Sequence, residues 1–295
     1  MKKVLAILCA DLHIRSDKPV CRKDDYLVAQ QQKLSFIKDL VITNGCPLIV
    51  AGDVFHTAKS SPYVEKIALD FFIGMDCIVI PGQHDLPYHR LSHVNQGSYG
   101  VLATLNNVEG KIKFHYTELG DWMVVTLQGI KIAIAHIFVP KPNDKQDFAI
   151  IGKDYDGYVH KWKQLNVDLV VTGDNHKSFI VQNRSYIHIN PGSMMRMTAS
   201  QENHKPMVVK VYTDLTTEIV YLPIMEGVID RTYVDKDYQR EDRLQAFVKK
   251  VSSEYELDID FLHNLRQFLT VNKVRKGVKD KINQLLEEVV NESNR

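Results

Sequence analysis

At 295 residues and 33.8 kDa the chain is about twice the ~150-residue norm for one domain, a length that undivided α/β folds also reach. A hydrophobic fraction of 44% and a charged fraction of 25% exclude disordered and fibrous classes. With 37 basic against 36 acidic residues the formal charge is +1, so bulk charge cannot hold nucleic acid; any such contact needs a local patch or a metal site. The cysteines Cys9, Cys21, Cys46 and Cys77 show no CxxC spacing and read as reduced thiols of a cytoplasmic protein. No apolar run approaches the ~18 residues of a membrane span, so no membrane partner is expected. The run Val4–Ala10 after Met1-Lys2-Lys3 stops at Asp11 without a small-residue cleavage pattern, which favours a buried first strand over a secretion signal.

In chain order, Val4–Ala10 is followed by a helix over Asp24–Val41, with Leu27, Val28, Leu34, Ile37, Leu40 and Val41 as its apolar stripe and Asn44-Gly45 as its end. Pro47–Ala51 reads as a second buried strand. Ser61-Pro62 starts a helix with the stripe Val64, Ile67, Ala68, Phe71, and Cys77–Ile80 is a third strand closed by Pro81-Gly82. This alternation predicts a largely parallel sheet. Strands then dominate: Lys111–Tyr116, Trp122–Leu127, Ile130–Ala135, Val167–Thr172, Phe179–Gln182, Tyr186–Asn190, Met207–Tyr212 and Glu218–Leu222. Gln128-Gly129 reads as a hairpin turn, and a helix covers Asp156–Leu165. The pattern implies an α/β fold with two β-layers face to face and helices outside. After Pro223 the sequence becomes charge-rich and helical, which places a boundary near residue 225 and a C-terminal region over 226–295. Its stripe Ile282, Leu285, Leu286, Val289, Val290 is amphipathic.

Chemistry concentrates where apolar strands end. The first strand runs into Asp11-Leu12-His13, the second into Gly52-Asp53, the third into Gly82-Gln83-His84-Asp85. Ile130–Ala135 runs into His136, and Val167–Thr172 into Gly173-Asp174-Asn175-His176. In open α/β sheets the carboxyl ends of parallel strands share one edge, where ligands bind. Carboxylates and imidazoles converging there suit two divalent cations.

These motifs resemble those of the calcineurin-like metallophosphoesterases, which run DxH, GD, GNH(D/E), H and GHxH. The likeness covers residues 4 to about 222 and implies that family's four-layer αββα sandwich, here with a small helical C-terminal extension. Within the family the chain is most similar to the SbcD-type DNA-repair nucleases, through Gly52-Asp53-Val54-Phe55 and the turn Pro191-Gly192-Ser193. The resemblance implies that Asp11, His13, Asp53 and His176 hold a first metal. Asp53 would bridge to a second, completed by Gln83, His136 and Asp174. Mn²⁺ is the expected ion, with Mg²⁺ the alternative. His84 would contact the scissile phosphate and protonate the leaving oxygen, with Asp85 holding its ring protonated. Two positions depart from the family pattern: its asparagine is Gln83, and the first histidine of GHxH is Asp174.

Other polar residues read as ordinary surface or structural groups. His89 and His93 fall in a polar loop and His188 in a strand, while Arg196 is placed to meet a DNA phosphate. The basic run Lys273, Arg275, Lys276, Lys279, Lys281 reads as a nucleic-acid contact or a solvated helix face. The resemblance further implies a homodimer acting on DNA in repair, recombination or replication, partnered by an ABC-type coiled-coil ATPase (SbcC-like). The stripe Ile282–Val290 would dock that partner or pack on its own core, and 226–295 is short for a full capping domain. Two other readings stand beside this one: a stand-alone phosphodiesterase or phosphatase on nucleotides or phosphoproteins, and a non-catalytic scaffold with a degenerate metal site.

Overall fold

The computed structural model describes residues 2–107, 112–144, 155–232, 269 and 276–293, with side chains given to residue 284. It divides into two compact units, Met1–Asp230 and Arg231–Arg295. The first unit carries the expected αββα layering. Its larger sheet contains β1 (Val4–Cys9), β2 (Leu48–Ala51), β3 (Cys77–Ile80), β4 (Ile112–Phe114), β10 (Met207–Tyr212) and β11 (Thr217–Tyr221), in the order β11-β10-β1-β2-β3-β4. The strands β1 to β4 run parallel, and β10 joins β1 antiparallel. The second sheet has the order β5-β6-β7-β9-β8, from β5 (Met123–Leu127), β6 (Ile130–His136), β7 (Leu169–Gly173), β8 (Phe179–Gln182) and β9 (Ile187–Asn190).

Period-two alternation sends each strand's side chains into two different layers. From β1, Ala6, Leu8 and Ala10 face the second sheet, meeting Ile132, Ile134, Leu169 and Val171 in an apolar layer between the sheets. Ile7 and Cys9 face the other way, into the core under the helices α1 (Tyr26–Asn44), α2 (Pro62–Phe72) and α3 (Ser98–Ala103). Leu5 joins the inter-sheet layer out of alternation because the register with β10 shifts between Val4 and Ala6. On the far face of the second sheet, Trp162 of α4 (Asp156–Leu165) packs against Ala133, Val170 and Tyr186. Each large side chain fully buried in these layers contributes about 1.5–3 kcal/mol.

Local signals set the element ends. The Asp25 carboxylate accepts from the Val28 amide to cap α1, which stops at Gly45 in a left-handed conformation. Ser61 caps α2 with Pro62 as its first residue. Gln128 and Gly129 both have positive φ, as a two-residue hairpin turn matching the strand twist requires.

The buried face of α1 differs from its sequence pattern. Val28 is exposed, whereas Tyr26, Gln30 and Lys33 are buried. The polar pair is buried because it has backbone partners: Gln30 accepts from the Arg15 amide, and Lys33 donates to the Met194 carbonyl at 2.9 Å.

Residues following β11 stay with the first unit. Arg22 bridges Ile229, and the Asp230 amide donates to the Cys21 carbonyl. In the second unit, α5 (Lys276–Ser293) is helical, with Ile282 buried and Val278 and Lys276 exposed. The side chains of Leu285, Leu286, Val289 and Val290, and residues Lys273 and Arg275, lie outside the described residues. All four cysteines are free and buried. Among the described residues no helix is long and apolar enough to cross a membrane.

Candidate metal centre

The loops after β1, β2, β3, β6 and β7 are stitched into one site. The Asp11 amide donates to the Gly52 carbonyl and the His13 amide to the Asp53 carbonyl, joining the first two loops. The His84 amide donates to Asp53 Oδ1 at 2.8 Å, bringing in the third. His136 Nδ1 donates to the Ala51 carbonyl, and the Asp174 amide to Asp11 Oδ1, which ties the second sheet to the first.

Backbone strain is concentrated here. Asp11, His13, Asp53 and Asp174 all have positive φ, at 50°, 45°, 51° and 78°. Each such residue costs about 1–2 kcal/mol, and the cost is met where side chains must turn toward a common point. Glycine provides the room. A Cβ on Gly82 would lie 2.1 Å from Asp53 Oδ1, and one on Gly173 would lie 2.2 Å from the Ala51 carbonyl oxygen.

Three groups of potential ligands each close within 4.8 Å: Asp11, His13 and His176; Asp11, Asp53 and His136; and His13, His56 and His84. Shared members make them one continuous cluster. His13 Nε2 and His176 Nε2 face each other at 3.1 Å, and His136 Nε2 lies 3.2 Å from Asp53 Oδ2. Asp11 Oδ2 and His13 Nδ1 are buried without a hydrogen-bond partner. A buried carboxylate oxygen left without a donor, as Asp11 Oδ2 is, is costly, and a divalent cation satisfies it. The donor set of carboxylate oxygen and imidazole nitrogen, without thiolate, fits such an ion.

The electrostatics agree. Burial opposes a charge on His136, but Asp53, Asp11 and Asp174 outweigh it and push its pKa up to about 10. Burial would raise Asp53, yet His136, His13 and His84 hold it well below the usual carboxylate range. Burial raises Asp11 to about 6 despite His136 and His176. His13 is driven well below its ordinary value, mainly by burial.

A profile of the calcineurin-like phosphoesterase superfamily domain matches residues 5–214. The chain belongs to that superfamily. No curated protein matches it. Among solved structures, this superfamily member is similar to an archaeal phosphodiesterase, with 15% identity, 74% of this chain and 99% of that one covered, and a TM-score of 0.46. It is also similar to vacuolar protein sorting 29 from Cryptosporidium parvum, with 17% identity, 77% and 100% coverage, and a TM-score of 0.40. A conserved protein of Streptococcus pneumoniae TIGR4, described as a predicted phosphoesterase, has 14% identity, 77% and 96% coverage, and a TM-score of 0.42.

Five expected ligands, Asp11, His13, Asp53, His136 and His176, lie in the cluster together with His84. Gln83 and Asp174 meet each other, Gln83 Nε2 donating to Asp174 Oδ1 at 2.8 Å, and Asp174 joins none of the three ligand groups. Asp85 does not hold the His84 ring. Its buried carboxylate accepts from the amides of Val54, Phe55 and Gly82, while His84 Nδ1 is bonded to the His56 carbonyl. Burial and Asp53 raise the Asp85 pKa to about 7, and the three amides pull against that rise. Arg196 is likewise no phosphate contact. It is buried, and its terminal nitrogens donate to the carbonyls of Glu202 and Met225.

His56 is the site residue that motif reading missed. Its ring stacks on His84 and its Nε2 lies 2.8 Å from Arg15 Nη1. The available signal was its position directly after Gly52-Asp53-Val54-Phe55. Outside the cluster, among the described residues, His89 is exposed beside the Gln83 carbonyl, and His188 is buried between Thr172 and Tyr155.

Proposed function

We propose that this chain is a DNA nuclease of the SbcD type, hydrolysing phosphodiesters with two divalent cations, Mn²⁺ or Mg²⁺, in repair, recombination or replication. The observation that carries this reading is a groove of ≈ 880 Å³ that starts at Asp174 and His176 and is lined by Lys141, Lys177, Lys205 and Tyr221. Lys141 and Lys205 in the groove can meet strand phosphates, Lys177 being paired with Asp144 at 2.7 Å, and the exposed Tyr221 ring can stack on a base. The net charge of +1 makes such local placement the relevant source of affinity.

Asp11, His13 and His176 would hold one ion and His136 the other, with Asp53 between them. When bound, the ions would lower the pKa of a water and offset charge on the phosphoryl oxygens. The chain's own part is positioning and proton transfer. The His84 amide fixes Asp53, and the His56 carbonyl, which can only accept, fixes His84 with its hydrogen on Nδ1. Nε2 is therefore the atom left for proton transfer, and it donates to the leaving oxygen only when the ring carries both protons. A homodimer, an ABC-type ATPase partner and a cytoplasmic location complete the reading. The free, buried thiols fit a reducing compartment.

The test is incubation of linear, hairpin and single-stranded DNA with wild type and His84→Ala in Mn²⁺. Cleavage by wild type and not by the variant is expected. Hydrolysis of a chromogenic phosphodiester with every DNA form left intact would overturn the nuclease reading.

A further inference from the structure

Resting on the nuclease reading, we propose that Tyr88 is a base-stacking residue, whose ring receives a nucleobase of the bound strand within about four nucleotides of the scissile phosphate. The backbone is strained where this ring leaves the surface. Tyr88 and His89 have positive φ one after the other, at 57° and 54°. Among the described residues no other two consecutive residues with side chains share that conformation. A residue with a Cβ adopts it rarely, and a bulky ring makes it less favourable still. Strain held at two neighbouring side chains marks something that they present. What they present is the Tyr88 ring, 74% exposed.

The turn beneath the ring is a firm mount. Leu86 and Pro87 are buried just before it, and Pro87 lies against Gly97, where a Cβ would come within 3.0 Å of the proline ring. The His89 amide donates to the Leu86 carbonyl at 2.9 Å, and the Arg90 amide to the Pro87 carbonyl at 3.3 Å. His93 meets the tyrosine edge to face, with ring centroids 5.4 Å apart. The ring is thus braced by one neighbour while most of it stays in solvent. A tyrosine so exposed adds little burial to the fold, so packing does not account for the strain.

The mount is tied to the candidate metal centre. A carbonyl can only accept, so His89 Nδ1 donates to the Gln83 carbonyl, at 3.0 Å. Gln83 directly precedes His84, whose amide holds Asp53. The Gln83 side chain donates to Asp174 Oδ1 at 2.8 Å, and Asp174 stands at the start of the lysine-bearing groove. Tyr88 is therefore carried by the loop after β3, and the groove begins at the loop after β7. A strand lying in the groove and crossing the centre would continue onto the loop that carries Tyr88. Four residues of chain keep the Cα atoms of His84 and Tyr88 within about 14 Å, or about four base steps of B-form rise. Only nucleotides flanking the cut lie in that range. The ring carries no charge to meet a phosphate, whereas every base offers a face to stack on, so the contact is tolerant of sequence.

The experiment uses the full chain as wild type, Tyr88→Ala and Tyr88→Phe in Mn²⁺. The substrates are a single-stranded oligonucleotide with a mapped cut and the same strand made abasic over the nucleotides flanking that cut. Thermal unfolding checks that each variant folds, and Tyr88→Leu takes the place of Tyr88→Ala if that one does not. Wild type should lose about tenfold in kcat/KM on the abasic strand, through KM, with kcat kept within about twofold. Tyr88→Ala should show the same loss on the intact strand and no further loss on the abasic one. Tyr88→Phe, which keeps the ring, should match wild type on both. With 2-aminopurine placed in turn at each flanking position, wild type and Tyr88→Phe should quench its fluorescence at one position, and Tyr88→Ala should not. A Tyr88→Ala variant with wild-type KM on the intact strand, equal losses by that variant on both strands, or an abasic strand cut by wild type as well as the intact one would each overturn the proposal while leaving the nuclease reading standing. Wild type that leaves every strand uncut would instead remove the nuclease reading, and the proposal with it.

Discussion

His136 presents Nε2 to Asp53 Oδ2 at 3.2 Å while its Nδ1 is committed to the Ala51 carbonyl at 2.8 Å. The ring can therefore neither rotate away nor change tautomer without losing a buried hydrogen bond. Free of metal, the gap holds a proton, because Asp53 and its neighbours overcome the cost of burying the charge and raise the pKa to about 10. A cation on Nε2 must displace that proton at every pH below this value. Divalent-ion affinity should accordingly rise with pH from neutrality toward pH 10, with about one proton released from His136 per ion at pH 8. Calorimetry in buffers of differing ionisation enthalpy measures the proton count. A count of zero at pH 8 would contradict the assignment.

Asp85 is a brace between two loops. Its carboxylate collects the amides of Val54 and Phe55 from one loop and Gly82 from another, so the segment bearing Asp53 and the segment bearing His84 are fixed to each other. Asp85→Ala leaves three buried N–H groups without acceptors, each costing about 1–3 kcal/mol. The expected loss is about 3 kcal/mol or more in urea unfolding, with weaker metal binding. Asp85→Asn should fall between, because one side-chain oxygen can still accept. Unchanged stability in Asp85→Ala would show that water replaces the carboxylate at no cost.

Much of this was legible in the sequence, and what was not has a physical reason. Cys77–Ile80 and Asp156–Leu165 follow from apolar runs and helical periodicity, and the clustering of candidate ligands from polar residues placed directly after strands. The partners of Asp85 left no such mark. A carboxylate that accepts from amides some thirty residues away depends on loop geometry, which side-chain identity does not encode. Arg196 reads as a surface cation because nothing in its neighbourhood announces the carbonyls of Glu202 and Met225. Gln30 and Lys33 likewise look solvent-facing, and only the Arg15 amide and the Met194 carbonyl make their burial tolerable.

Glycines that look alike in sequence should respond very differently to a methyl group. Gly45 and Gly52 both have positive φ, at 56° and 87°. A Cβ on Gly45 meets nothing within 4 Å, so Gly45→Ala should cost only the backbone penalty of about 1 kcal/mol. A Cβ on Gly52 would lie 2.3 Å from His136 Nδ1, inside the ring's hydrogen bond to Ala51. Gly52→Ala should therefore destabilise by about 3 kcal/mol or more and lower metal affinity through the displaced imidazole. Parallel denaturation and dialysis measurements on the two variants check the contrast, and equal effects would refute it.

Lys33 supplies a stability prediction with a definite sign. It is buried, its Nζ donates to the Met194 carbonyl, and burial together with Arg22 and Arg196 lowers its pKa from 10.5 to about 7. Asp24 pulls in the opposite direction without restoring it. Between pH 7 and 10.5 the unfolded chain thus binds more protons at this residue than the folded one, and the lysine contribution to stability rises with pH over that window. Below pH 7 the full cost of burying the charge is present. Lys33→Met removes that cost but leaves the Met194 carbonyl unpaired, a loss of about 1 kcal/mol. The variant should be more stable than wild type by about 1–3 kcal/mol at pH 6, and the advantage should vanish or reverse by pH 10. Urea unfolding of both proteins at the two pH values measures it. A difference that is the same at pH 6 and pH 10 would mean that the ammonium is not buried in its charged form.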